Sequence, residues 1–359
     1  MKARRDAFAR RLGVRHPLIA APMAGAAGPE LAIATLKAGG LGSLPCALLS
    51  PDQMREQAAQ IRAATGGPVH LNFFCHDMPD EVDESGWRAL LAPYYKAFGV
   101  APPEGPGVMR LPFSEEACIA VEAIRPEIVS FHFGLPGPAL FARVKATGAL
   151  ILASATTVRE AQWLEAQGVD AVIAQGAEAG GHASYFLDGS PETHMGLFAL
   201  LPQVADAASV PVIAAGGIAD ARGVAAAFIL GASAVQIGTA FLHGPESKIT
   251  PMHRAALASP DAAQTRFTRL FTGRAARGIP NRLMRELGAM NPAAPPFPHA
   301  GTALAPLKAA AEAQGDAGFS SLWAGQASLL VKPLPASERI ETLINEAERL
   351  LGQAATEEA

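Results

Sequence analysis

The sequence predicts an α/β protein, a TIM (β/α)8 barrel with an appended or inserted, mainly helical substrate domain. Two observations lead to this fold class. Short apolar runs of strand-like composition alternate with helical periodicities as far as Leu242, which is the pattern of a parallel sheet built from βα units. The chain of 359 residues is also longer than a barrel alone requires, since such barrels typically occupy about 250 residues.

Eight apolar runs are predicted as strands. They lie at residues 16–23, 41–44, 69–74, 128–133, 149–154, 171–175, 210–215 and 234–238. Because βαβ connections are right-handed, eight consecutive parallel strands have few arrangements other than a closed barrel. We expect the barrel to comprise residues 1–242 and 321–359, with residues 243–320 as the helical appended region.

Residues 76–113 form a long insertion between the third and fourth predicted strands. A connection of this length is often a lid or a binding loop. Its aromatic residues Trp87, Tyr94, Tyr95 and Phe98 fit a surface helix with a packing face equally well. Both interpretations stay open at this point.

The composition argues against several classes of function. Charged residues make up 17% of the chain and the formal net charge is −4, which leaves no extended basic surface for nucleic acid. No apolar run approaches the ~20 residues that span a bilayer, and the N-terminus lacks the apolar core of a secretory signal. The 3 cysteines are too few and too irregularly spaced for a disulfide framework or a zinc site. We therefore expect a cytoplasmic protein without nucleic-acid or membrane partners.

Glycine residues follow two consecutive predicted strands at their carboxyl ends. Gly216 and Gly217 end the seventh strand, and Gly238 and Thr239 end the eighth. Backbone amides beside helix starts bind phosphate, and TIM barrels commonly hold a phosphate at these two strands. FMN fits such a site, although the glycines alone could simply make tight turns. The ring of FMN would cover the barrel mouth near Pro22, Met23, Asn72 and Gln175.

His182 is the candidate catalytic base. It follows Gly180 and Gly181 on the loop after the sixth predicted strand, at the face where barrels build their active sites. An imidazole with an ordinary pKa near 6.5 suits proton transfer around neutral pH. Glu178, on the same loop, is interpreted as an ordering hydrogen-bond partner rather than an acid catalyst.

For His132, which lies between Phe131 and Phe133, a satisfied core residue is the favoured interpretation. Neither His132 nor His182 has further histidine or carboxylate ligands at useful spacing, so no metal site is predicted.

These motifs together resemble the nitronate monooxygenases, once called 2-nitropropane dioxygenases, and the resemblance covers nearly the entire chain. The residues that carry it are 21–25, 72–74, 130–134, 175–182, 215–220, 236–239 and 323–326. The most telling motif is Glu178-Ala-Gly-Gly-His182. The phenylalanines around His132, with the segments 72–74 and 323–326, look like the monooxygenase branch.

The resemblance implies FMN-dependent oxidation of alkyl nitronates or nitroalkanes, such as propionate 3-nitronate, by O2 to an aldehyde or ketone plus nitrite. His182 would remove the α-proton of a neutral nitroalkane, and a homodimer is the candidate assembly. The candidate cofactor-binding residues are Ala21, Pro22, Met23, Asn72, Gln175, Gly180, Gly181, Gly216, Gly217, Gln236, Gly238 and Thr239. The candidate substrate pocket consists of His132, Phe133, Trp323 and Gln326.

Two alternatives remain. Flavin-dependent enoyl-ACP reductases share the motif at 178–182 and the glycine turns, so an FMN-dependent enoyl-ACP reductase or NAD(P)H:quinone reductase on the same barrel is the first. A flavin- or phosphosugar-binding protein without chemistry is the second. The sequence also departs from the family at Ala183 and Ser184, where a basic residue and glycine are usual. The departure bears on the local backbone and on anion binding, and we expect it to affect substrate preference.

Overall fold

A computed structural model describes residues 2–105, 107, 109–187 and 189–357. Its strands are β1 Leu18–Ala20, β2 Leu44–Pro45, β3 His70–Phe74, β4 Ile128–His132, β5 Leu150–Ala155, β6 Ala171–Gln175, β7 Gly181–His182, β8 Val212–Ala215, β9 Ala234–Ile237, β10 Arg266–Thr268 and β11 Ala276–Gly278. Its helices are α1 Lys2–Arg11, α2 Pro29–Lys37, α3 Pro51–Thr65, α4 Ser85–Phe98, α5 Glu115–Ile124, α6 Pro138–Ala146, α7 Val158–Gln167, α8 Leu197–Ala207, α9 Ala221–Ile229, α10 Thr239–Leu242, α11 Pro251–Leu257, α12 Arg282–Leu287, α13 Ala300–Ala313 and α14 Ala336–Glu357.

The main sheet is the predicted barrel. Its 8 strands run parallel in the order β1-β9-β8-β6-β5-β4-β3-β2. A parallel bridge between Ile19 and Leu41 joins the two ends of this order, with the backbone N–H of Leu41 donating to the Leu18 carbonyl at 2.8 Å. Each strand overlaps one of the predicted runs, so the TIM-barrel prediction is confirmed. The second strand begins later than predicted, because Leu41 makes only the bridge and regular pairing starts at Leu44.

Helix α1 closes the amino-terminal end of the barrel. Phe8 and Leu12 pack against inward-facing strand residues that include Ile19, Ile128 and Ile213. With that end filled by apolar side chains, the opposite end, where the strands finish, is the one left for a ligand.

A second, three-stranded sheet in the order β10-β11-β7 lies outside the barrel. Strand β11 pairs antiparallel with β7, which places Ala276 opposite His182 and Arg277 opposite Gly181. Residues 243–320 therefore contain the hairpin β10–β11 in addition to helices α11 to α13. The sequence did not predict this hairpin, which attaches the appended region directly to the His182 loop.

The aromatic face of the 76–113 insertion packs against the appended region. Trp87 of α4 is fully buried in a cluster with residues of α13, and its indole N–H donates to the Ala300 carbonyl at 3.1 Å. The hydroxyl of Tyr95 donates to the Ala303 carbonyl. The aromatic residues of α4 therefore form a packing face, while the interpretation of residues 76–113 as a lid or binding loop stays a prediction.

Among the described helices, none has the length and apolar character that crossing a membrane would require.

Candidate active site

A cavity of about 380 Å³ lies over the carboxyl ends of the barrel strands, a size typical of small-molecule and cofactor sites. Every candidate cofactor-binding residue lines it, as do His182, His132 and Trp323; the cofactor set comprises Ala21, Pro22, Met23, Asn72, Gln175, Gly180, Gly181, Gly216, Gly217, Gln236, Gly238 and Thr239. Phe133 and Gln326 are not among the lining residues. Residues far apart in sequence thus meet at one face because parallel strands all end there.

The first glycine turn has a backbone that only glycine adopts easily. Gly216 and Gly217 have φ angles of 108° and 67°, in the region where a Cβ atom is disfavoured. A Cβ on Gly216 would also lie 3.0 Å from the Gly176 carbonyl oxygen. Consecutive residues of this kind turn backbone N–H groups toward a common side, which favours an anion.

The second glycine turn, at Gly238 and Thr239, is held by the segment 323–326. The backbone N–H of Gly325 donates to the Thr239 hydroxyl at 2.9 Å, which leaves the hydroxyl proton of Thr239 available to a ligand. The backbone N–H of Gln326 donates to the Glu178 carbonyl at 2.9 Å, while its side chain is exposed. Gln326 therefore anchors this segment through its backbone, and Trp323 is the residue of the segment whose side chain reaches the cavity.

Glu178 fixes the loop that precedes His182. Both of its carboxylate oxygens lie 2.9 Å from the backbone N–H of Leu197, at the start of α8. A carboxylate at a helix N-terminus is stabilised by the helix dipole. The arrangement is that of an ordering partner, as expected from the sequence.

Asn72 ends a directed chain of hydrogen bonds through the barrel interior. The hydroxyl of Ser43 donates to the Ala20 carbonyl at 2.6 Å, so its oxygen accepts from Nδ1–H of His70 at 2.8 Å. Nε2 of His70 then accepts from the Ser130 hydroxyl at 2.7 Å, and the Ser130 oxygen accepts from the Asn72 amide nitrogen at 2.9 Å. Burial lowers the pKa of His70 to about 3, which keeps the imidazole neutral as the chain requires. With its nitrogen committed, Asn72 has its amide oxygen left for a ligand.

Gln236 supplies an orphaned acceptor in the same cavity. Its side-chain oxygen is buried and has no hydrogen-bond partner among the described residues. A buried polar atom without a partner is costly, so a ligand with a donor group would satisfy it. The residues present therefore fit a flavin: a glycine turn for the phosphate, and amide groups of Gln236 and Asn72 for a polar ring.

The His182 imidazole is held beside the cavity by the appended region. Its Nε2 atom lies 3.0 Å from the Thr272 hydroxyl oxygen, and that hydroxyl lies 3.3 Å from the Arg274 carbonyl, to which it donates. Burial, followed by the positive charge of Arg110 and the neighbouring imidazoles, lowers the pKa of His182 well below its ordinary value. The sequence-based expectation of an unperturbed pKa was wrong, because the loop is enclosed and faces cations. His182 is a neutral imidazole at pH 7.

Four aromatic rings surround His182. The ring centroids of Phe74, Phe133, Phe297 and Trp323 lie 5.9, 6.0, 5.3 and 5.7 Å from that of the imidazole. Phe133 has a φ of 69°, which is uncommon for a bulky residue. Phe133 thus contacts the candidate base without lining the cavity.

The backbone of His182 is fixed from the barrel side. Its carbonyl oxygen accepts from the Gln175 side-chain amide at 3.0 Å and from Nε2–H of His132 at 3.2 Å. The Gln175 oxygen accepts from the Ser184 backbone N–H at 2.8 Å. Gln175 therefore holds the backbone on both sides of Ala183, directly after His182. His132 is hydrogen-bonded, as its interpretation as a satisfied residue implies, but it also borders the cavity and positions the base.

Ala183 and Ser184 lie outside the lining of the cavity. Their side chains are buried and do not line the cavity, and the Ala183 backbone N–H donates to the Ala275 carbonyl at 3.0 Å. The departure from the family pattern therefore places no side chain of this pair in the site.

Several lining or contacting residues had no signal in the sequence. Thr272 and Phe297 come from the appended region, and Arg110 comes from the 76–113 insertion. Among the described residues, no group of histidine, cysteine, aspartate and glutamate side chains is arranged to hold a metal ion.

The barrel and a cavity at its carboxyl end define the chain as a TIM-barrel enzyme. The model of the nitronate monooxygenase family matches residues 6–346. A nitronate monooxygenase of Pseudomonas aeruginosa is 41% identical over 346 residues, which is 95% of this chain and 99% of that protein. The chain belongs to the nitronate monooxygenase family, whose members are flavin-dependent oxidoreductases.

Solved structures agree with this assignment. A nitroalkane oxidase from Streptomyces ansochromogenes superposes with a TM-score of 0.88 at 38% identity, covering 98% of this chain and 100% of that one. FabK from Thermotoga maritima gives a TM-score of 0.76 at 27% identity, with 98% of each chain covered. The likeness to the nitroalkane oxidase is thus greater in both sequence and structure.

Proposed function

We propose that this protein is an FMN-dependent nitronate monooxygenase. It would convert alkyl nitronates, and nitroalkanes that have lost their α-proton, into an aldehyde or ketone plus nitrite with O2 as oxidant. The observation that carries the proposal is that His182, whose pKa is lowered by burial, lines the same cavity as the Gly216-Gly217 turn.

FMN is the cofactor that best suits the lining residues. The phosphate would lie at Gly216, Gly217, Gly238 and Thr239, where backbone amides and one free hydroxyl proton are available. The side-chain amides of Gln236 and Asn72 would hydrogen-bond to polar groups of FMN. When bound, FMN supplies the electron acceptor for oxidation of the nitronate.

His182 is suited to act as the base toward neutral nitroalkanes. A nitro group acidifies the adjacent C–H, so one positioned base is sufficient. With Nε2 hydrogen-bonded to Thr272, the lone pair on Nδ1 is free to take the α-proton. A substrate that arrives as the nitronate needs no proton removal, so His182 would matter less for it.

Nitrite release provides the test. Purified protein should show a flavin spectrum, release FMN on denaturation, and produce nitrite from ethyl nitronate in air without NADH. His182→Asn should lower the rate on nitroethane by roughly 100-fold or more and affect ethyl nitronate much less. A colourless protein that cannot be reconstituted with FMN would refute the cofactor. Flavin reduction by NADH without nitrite formation would favour the reductase alternative.

A further inference from the structure

The hydrogen-bond chain that ends at Asn72 lies mostly inside the barrel, away from the cavity. Ser43, His70 and Ser130 are each no more than 3% exposed, and they are not lining residues. Of the four side chains, only that of Asn72 borders the cavity. Any effect of the other three on a ligand must therefore pass through Asn72.

The direction of the chain is fixed at the end away from the cavity. The Ser43 hydroxyl lies 2.6 Å from the Ala20 carbonyl oxygen, an atom that can only accept a hydrogen bond. A hydroxyl has one proton and a neutral imidazole has one N–H, so each later bond can point in only one way. The imidazole proton of His70 therefore lies on Nδ1, and the Ser130 hydroxyl donates to Nε2.

Asn72 must present its nitrogen to Ser130. The amide nitrogen lies 2.9 Å from the Ser130 hydroxyl oxygen and 3.4 Å from the Ser130 carbonyl oxygen. Because the hydroxyl proton is already used on His70 and a carbonyl only accepts, both oxygens require a donor. An asparagine amide carries its donors at one end and its acceptor at the other. The amide oxygen is therefore the end available to a ligand.

The chain orients Asn72 but has nowhere to pass a proton. Its far end is the Ala20 carbonyl, a backbone group that does not exchange protons at ordinary pH. Burial also lowers the pKa of His70 to about 3, so the imidazole does not take up a proton near neutral pH. What His70 contributes is one acceptor in a fixed position.

We propose that His70 is a positioning residue for the cofactor: acting through Ser130, it keeps the amide oxygen of Asn72, rather than the nitrogen, turned toward FMN. The inference rests on the proposed function, through its cofactor. Without His70 as acceptor, the Ser130 hydroxyl would be free to donate to the Asn72 oxygen, and the amide would turn its nitrogen toward FMN. A flavin group that donates to the oxygen would then meet a second donor, which weakens binding.

Ser43 offers the most demanding variant because it is the residue of the chain furthest from Asn72. In Ser43→Ala the Nδ1–H group of His70 loses its acceptor, so the imidazole proton is free to move to Nε2. Nε2–H would donate to Ser130, and Ser130 would donate to the Asn72 oxygen. Removal of one distant hydroxyl would thus reverse the whole chain.

The first test measures FMN affinity by titrating the apoprotein. His70→Leu and Ser43→Ala should each raise the FMN dissociation constant roughly 3- to 10-fold. In an Asn72→Ala background, which has no amide to orient, neither change should alter it further by more than about twofold. Losses that persist in full in that background would overturn the proposal, because His70 would then support only the fold.

Thr35→Val is the matched control for loss of a buried hydroxyl. Thr35 is fully buried in α2, and its hydroxyl donates to the Leu31 carbonyl at 2.8 Å, outside the chain. This variant should bind FMN as wild type does. An equal loss of affinity in Thr35→Val and Ser43→Ala would count against the proposal.

The second test observes the tautomer of His70 directly. Nitrogen NMR spectra of the FMN-loaded protein, with its histidines isotopically labelled, should show a protonated Nδ1 and an unprotonated Nε2 for His70. The His70 signals are identified by their loss in His70→Gln. In Ser43→Ala the proton should move to Nε2, and a proton on Nε2 in wild type would refute the direction of the chain.

The same variants separate this inference from the proposed function. If wild type binds FMN through the chain but makes no nitrite from ethyl nitronate, the proposed activity fails and the role of His70 stands. If wild type makes nitrite, but His70→Leu and Ser43→Ala bind FMN as tightly as wild type, the activity stands and the role of His70 is refuted.

Discussion

The Nε2 atom of His182 lies 3.0 Å from the hydroxyl oxygen of Thr272, a residue 90 positions further along the chain. Because the hydroxyl proton of Thr272 goes to the Arg274 carbonyl, its oxygen accepts from Nε2–H and leaves Nδ1 unprotonated. The hydrogen bond therefore selects the tautomer that we assign to the base.

Thr272→Val should remove this control with little change in shape. We expect nitrite formation from nitroethane to fall about tenfold, the worth of one hydrogen bond, while the rate on ethyl nitronate stays within about threefold. Thr272→Ser should restore most of the rate. Equal losses on both substrates would show that Thr272 supports the fold rather than the base.

The depressed pKa of His182 predicts an unusual pH profile. A lowered pKa means that the unprotonated base persists below pH 6.5, whereas an ordinary histidine would be about 90% protonated at pH 5.5. We expect kcat/KM for nitroethane to change less than about threefold between pH 7.5 and pH 5.5. A tenfold decline with a midpoint near pH 6.5 would contradict the assignment, and ethyl nitronate assayed over the same range controls for loss of flavin.

His70 predicts a pH dependence of stability. Its pKa is about 3 in the folded chain and about 6.5 when unfolded. Between these two pKa values the His70 side chain is protonated in the unfolded state but not in the folded state. The free energy of unfolding is therefore highest above pH 6.5 and decreases as the pH falls toward 3. His70 alone should account for a decrease on the order of 2 kcal/mol between pH 7 and pH 5.

Urea denaturation at the two pH values measures this contribution. In His70→Gln the decrease in the free energy of unfolding between pH 7 and pH 5 should be smaller by about 2 kcal/mol, whatever the variant's stability at pH 7. His16→Gln, at a partly exposed residue whose pKa is also lowered, should reduce it less. An unchanged decrease in His70→Gln would mean that His70 is not the group that resists protonation.

Gly217→Ala tests the phosphate turn. The φ of 67° is unfavourable for alanine, and the added Cβ would lie 3.3 Å from that of Glu178. We expect a loss of about 1–2 kcal/mol of stability and an FMN dissociation constant raised about tenfold, measured by titrating the apoprotein. Gly86→Ala, in α4 with open space around it, should lower neither the stability nor the FMN affinity. Unchanged FMN affinity in Gly217→Ala would show that the turn has no part in binding.

The barrel could be predicted from the sequence because each strand carries its own local signal. The β-branched run at 210–215, for example, became β8. The hairpin β10–β11 could not be predicted from the sequence, since Ala276–Gly278 has neither apolar alternation nor strand-forming residues. It is a strand because Arg266–Thr268 and Gly181–His182 pair with its two edges, and pairing with a distant segment such as Gly181–His182 leaves no local signal in the sequence.

The candidate site, like the fold, could be predicted from the sequence only in part. Glycines and polar residues at strand ends were visible in the sequence because a barrel delivers every strand end to one face. Arg110 and Thr272 could not be identified from the sequence, because each reaches His182 from a loop whose position depends on tertiary packing. The pKa of His182 was mispredicted for the same reason, since burial and neighbouring charge are properties of the folded chain.

The pairing of β7 with β11 has a consequence for how this protein is made. All eight barrel strands have been synthesised once Leu242 has been added. Thr272 and Ala276, which hold the side chain and the backbone of His182, are synthesised later. A gene cut after Leu242 would thus encode all eight strands without α14, whose Ile340 and Leu343 belong to the main core, and without the residues that complete the reaction centre.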